Sequence, residues 1–71
     1  MTEVTLDMRQ QALVALIAAA QEQGLHSKNL VDRASELLNS PEGKVRFIPE
    51  RDVGDVELEL SLAYARFMTI L

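Results

Sequence analysis

The chain contains no cysteine, which removes disulfide cross-links, thiolate nucleophiles and zinc–cysteine sites together. Histidine is almost as scarce. His26 stands alone, too few for a histidine-held metal or a catalytic relay, and no serine has a visible base and orienting group. Tryptophan is absent, and the aromatics are only Phe47, Tyr64 and Phe67, a poor supply of rings on which nucleic-acid bases stack. Gly24, Gly43 and Gly54 lie too far apart for a phosphate-cradling loop and belong to turns. These absences predict no enzyme, no cofactor and no metal.

An excess of basic charge is also missing. The formal net charge is −4, whereas proteins whose affinity rests on phosphate neutralisation are usually basic or carry a basic face. Nucleic acid is therefore not the expected partner. The longest uninterrupted apolar run, residues 12–20, is nine residues and alanine-rich, far short of a membrane span. Met1-Thr2-Glu3 puts no basic region ahead of an apolar stretch, so no signal peptide is visible and a cytoplasmic location is the expectation.

What is present is helical pattern in a short chain. Seventy-one residues make a single small domain, which buries only about 60% of the surface its unfolded form exposes. With disulfides and metals excluded, association with another chain is the remaining way to reinforce so small a core. The first segment, about residues 5–23, puts Leu6, Leu13, Leu16, Ile17 and Ala20 on one helical face. Thr5 is the expected N-cap with Asp7 in the first turn, and Gly24 the expected C′ residue. The second helix, about 28–39, has Ser27 as its expected N-cap and an apolar stripe of Leu30, Val31, Ala34, Leu37 and Leu38. It ends before Pro41, because a residue preceding proline is steered out of the α region. The short connection through Leu25 and His26 predicts a helical hairpin or corner.

Residues 40–54 are predicted to be a loop. Ser40-Pro41-Glu42-Gly43 has the residues of a type I turn, and 44–48 is a possible short extended segment. So long a connection is expected to pack back through Val45, Phe47 and Ile48, or to be functional.

The third segment, about residues 55–71, is open to two interpretations at its start. Val56, Leu58, Leu60 and Leu62 alternate with Glu57, Glu59 and Ser61 as in a strand. As a helix, the segment has a continuous stripe of Val56, Leu60, Ala63, Tyr64, Phe67, Ile70 and Leu71, with Asp55 as N-cap. Leucine and glutamate favour the helix, giving an all-α expectation of a helical hairpin followed by a long third helix. Leu58, Leu62 and Ala65 then lie on the opposite side, with Met68 between. A helix apolar on two sides has to be covered on two sides. Burial of one leucine stabilises by roughly 2 kcal/mol, so leaving both Leu58 and Leu62 bare is a serious loss for a marginal domain. A homodimer or hetero-complex through this helix is the simplest remedy. The last residues, 67–71, carry neither a C-cap glycine nor a basic turn, so the final turn frays or is held by a second chain.

The expected contact residues are Leu58, Leu62, Tyr64, Ala65, Arg66 and Met68, since aromatics and arginine are the usual anchors at helical interfaces. Beside them lies an acidic cluster of Glu50, Asp52, Asp55, Glu57 and Glu59. Offset only by Arg51, it accounts for the chain's whole net charge of −4. It either solvates the loop and complements the helix dipole, or steers a basic partner surface. The expected function is a small protein-binding regulator or adaptor, with inhibition of a larger protein as one form of it, rather than a catalyst. The alternative is a DNA-binding helix-turn-helix. Ala20, Gly24, Leu25 and Leu30 fit that pattern, with Lys28, Asn29 and Arg33 toward the groove, but Gln23 and Arg33 fall where apolar residues belong. A structural subunit of a larger assembly is a third possibility.

Overall fold

The computed structural model describes residues 2–40 and 43–70, with side chains from residue 7 onward. The fold is all-α: helix α1 (Thr2–Glu22), helix α2 (Ser27–Asn39), a single 3-10 turn (Glu50–Asp52) and helix α3 (Val53–Ile70). Among the described residues there is no strand.

The α1–α2 connection closes as its sequence dictates. Gly24 takes φ of 88°, in the left-handed region that favours glycine. The Leu25 N–H donates to the Ala20 carbonyl at 3.0 Å and the Gly24 N–H to that of Gln21 at 3.0 Å, the paired bonds of a Schellman cap. Two residues then suffice to start α2. His26 is extended at the cap position and its carbonyl accepts from the Leu30 N–H at 2.9 Å. Ser27 is thus not the N-cap; it is the first helical residue and is buried. Thr5 is not a cap either, because the α1 backbone is already helical from Thr2.

At its other end α2 stops at Asn39, and Ser40 is extended ahead of proline as expected. The Gly43 N–H closes a turn onto the Ser40 carbonyl at 3.2 Å, although its central residues 41 and 42 lie outside the described ones. The expected extended piece at 44–48 is instead a bent loop. Its anticipated packing does not occur: Phe47 is 94% exposed, Val45 is exposed, and only Ile48 is half-buried.

Pro49 leads into the 3-10 turn, where the Asp52 N–H donates to the Pro49 carbonyl at 2.9 Å, and α3 follows at Val53. The helix therefore begins two residues before Asp55, which stands in its first turn rather than at its cap. The earlier start buries Val53, an apolar residue expected in the loop. Residues 56–62 are helical throughout, so the strand-like alternation there is the trace of a helix with two apolar sides.

The core is small. Ile17 of α1 meets Ala63 and Phe67 of α3, with Leu13, Val14 and Ala18 of α1 and Leu30 and Val31 of α2 packed around them. Among the described residues no large side chain is completely enclosed. Gln10 touches Glu59 toward one end of the α1–α3 contact, and Gln21 lies near Tyr64 and Met68 toward the other. Ala63, fully buried against Ile17, lies at the α1–α3 contact, and α2 packs on both helices. The Cα envelope measures 34 × 33 × 15 Å. Its short dimension matches one helix stacked on another at an axial separation of about 8–10 Å. A radius of gyration of 12.6 Å exceeds the roughly 11 Å expected for a compact domain of this length.

The inward arc of α1 is rotated from the expected one. It runs through Gln10, Leu13, Val14, Ile17 and Ala18, which leaves Leu16 66% exposed. On α3, Val56 and Leu60 are half-buried, Ala63 and Phe67 are buried, and Ile70 is exposed rather than part of the core. Leu6 has no described side chain, and Leu71 lies outside the described residues.

Candidate interaction surfaces

Because α1 and α3 share one core between them, the far side of each helix faces outward. On α3 that side carries Leu58, Leu62, Ala65 and Thr69, all exposed, with Met68 exposed at one edge. Leu58 is 58% exposed and Leu62 45%. The helix repeat explains the division: Leu58, Leu62 and Ala65 recur at helical spacing roughly opposite Phe67. Arg66 is exposed beside them, and Tyr64 is half-buried near the α1–α2 turn. The structure thus gathers Leu58, Leu62, Ala65 and Arg66 on one side of α3, with Met68 and Tyr64 toward the opposite edge.

The acidic cluster divides into two parts. Glu57 is structural: its Oε2 accepts from the Ser35 hydroxyl and from Asn39 Nδ2 (2.9 Å), joining the last turn of α2 to the start of α3. Glu59 is also engaged, accepting from buried Gln10 Nε2 at 2.6 Å. Glu50 and Asp55 are exposed and Asp52 is half-exposed, leaving these three as the solvent-facing part of the cluster.

Two features lie outside the expected set. The outer side of α1 is an uncharged apolar face of Met8, Ala12, Ala15, Leu16 and Ala19, all exposed. The signal was present in residues 12–20, which are apolar at every position and so necessarily apolar on both sides of a helix. The second is Phe47, standing clear of the body between Arg46 and Ile48.

Two open clefts flank the α1–α3 contact. One of about 450 Å³ has Gln10, Val14, Arg66 and Ile70 in its walls; the other, about 360 Å³, lies beside His26, Tyr64 and Met68. Among the described residues, no group of three or more His, Cys, Asp or Glu side chains is placed to hold a metal ion. On α2, Lys28, Asn29 and Arg33 are exposed, but Lys28 pairs with Asp32 at 2.9 Å and Arg33 with Glu36 at 3.0 Å. That face is a balanced set of charges rather than a basic strip. No described helix is long and apolar enough to cross a membrane.

No protein-family model matches the chain, and no curated protein or solved structure is significantly similar to it.

Proposed function

We propose that this chain is a small protein-binding module, a regulator or adaptor that acts by contact rather than by catalysis, and that the outer side of α3 is its contact surface. The observation that carries this is the exposure of Leu58 and Leu62 in a chain whose described residues include no completely enclosed large side chain. A marginal fold that leaves two leucines half in water gives up roughly 2 kcal/mol of burial, which a covering chain restores. Asp55, exposed on the same side of the helix, gives that surface an acidic edge suited to a partner with a basic residue at its rim. Inhibition of a larger protein is one use of such a module.

The test is site-specific photo-crosslinking in the producing cell. A photoreactive residue at position 62 is expected to yield protein adducts, and one at Glu36, on the polar side of α2, none. Leu58→Glu should abolish the adducts while leaving the helical circular dichroism intact. Absence of any adduct at position 62 would end this assignment.

A further inference from the structure

The protein that covers α3 can be named by its chemistry. We infer that it is a second copy of this chain, bound through an antiparallel α3–α3 pair about a two-fold axis near Leu60. This rests on the assignment of α3's outer side as a protein-binding surface.

Three observations converge on it. First, the accessible surface is 5477 Å², whereas a compact monomer of this mass exposes about 4,400 Å². The surplus of roughly 1,100 Å² is of the size that one partner contributes to a standard interface, about 800 Å². Second, the apolar pattern is self-complementary. In an antiparallel pair centred near residue 60, Leu58 of each copy meets the partner's Leu62, as an isologous contact requires.

Third, the charges beside the leucines match in that orientation and no other. Asp55 and Arg66 lie on the same flank of α3, five and six residues from the centre, and both are exposed. Neither forms an ion pair among the described residues. An antiparallel two-fold keeps each flank against itself in reverse order, so Asp55 faces the partner's Arg66 at both ends. A parallel pair sets the same flank against the opposite one and loses both contacts. Within one chain the two groups are about 16 Å apart along the helix axis and cannot meet.

Charge exchange tests this without disturbing the core, since both positions are exposed. The mass of each variant is followed by light scattering over a concentration series. Asp55→Arg alone and Arg66→Asp alone each place two like-charge pairs in the dimer and should raise its Kd at least about tenfold. The double variant Asp55→Arg/Arg66→Asp should return to within about threefold of the unmodified chain. An equimolar mixture of the two single variants should likewise form the heterodimer. Leu16→Glu, on the outer side of α1, should leave the mass unchanged.

A monomeric unmodified chain overturns the inference, as does failure of the double exchange to rescue, or dissociation by Leu16→Glu with no effect of the charge variants. If position 62 crosslinks to other proteins while the chain remains monomeric, the binding surface stands and the second copy does not.

Discussion

Gln10 of α1 holds Glu59 of α3 by two bonds from one nitrogen: Nε2 donates to the Glu59 backbone carbonyl at 3.1 Å and to its carboxylate at 2.6 Å. The side chain is buried, and its Oε1 has no partner among the described residues. Reversing the amide would set that oxygen against two other oxygens, so the bonds to Glu59 fix its orientation. This polar contact joins helices whose apolar core is small.

Gln10→Ala should therefore cost about 1–3 kcal/mol, because it removes a hydrogen bond to a carboxylate and leaves a half-buried acceptor short of a donor. Urea unfolding followed by circular dichroism checks it. An unchanged midpoint would show that the bond contributes nothing to stability.

Ala63 sits at the α1–α3 contact with no exposed surface. A larger side chain has nowhere to go without moving α1 away. Ala63→Leu should destabilise by about 1–3 kcal/mol despite adding apolar area, and the loss should appear as a lower thermal midpoint.

The glycines give a contrast in sign. Gly24 has φ of 88° and open space where a Cβ would stand, so Gly24→Ala is penalised by the backbone alone, by about 1 kcal/mol. Gly54 is helical and equally unobstructed, and Gly54→Ala should stabilise by up to about 1 kcal/mol. Chemical denaturation of both variants reads the two directions.

The two phenylalanines differ as sharply. Phe67→Ala removes a core ring that is 3% exposed and should cost about 3–5 kcal/mol, enough to unfold a marginal domain. Phe47→Ala should shift stability by no more than about 0.5 kcal/mol. Thermal unfolding of the two variants side by side measures the difference. A large effect at Phe47 would mean that the ring is covered by another chain in solution.

The helices are legible in the sequence because their punctuation is local. Gly24 and Pro41 act within a residue or two of their own positions, whereas the alternation of residues 56–62 fits a strand as well as a helix with two apolar sides, and only the leucine and glutamate propensities favour the helix that forms. What a single segment does not determine is rotation. Residues 12–20 are apolar in every direction, so periodicity alone gives no arc to prefer; contact with Ala63 and Phe67 turns Ile17 inward and Leu16 outward. Gln10 escapes a sequence reading because a glutamine ordinarily faces water, although it stands on the same helical face as Leu13, Val14 and Ile17, one and two turns away. The acidic cluster looks like one patch along the chain, yet long-range bonds to Gln10, Ser35 and Asn39 draw Glu59 and Glu57 into the fold. The loop departs from expectation for the opposite reason. Apolarity points Val45 and Phe47 toward the core, and no described element covers them.

Completion of this fold by a second copy of the chain is the central claim, and the unmodified protein's mass at equilibrium tests it most directly. Sedimentation equilibrium from low to high micromolar concentration should show a weight-average mass rising from 7.9 kDa toward twice that value and levelling there. A mass fixed at 7.9 kDa across the range, with α3 still helical, would contradict it.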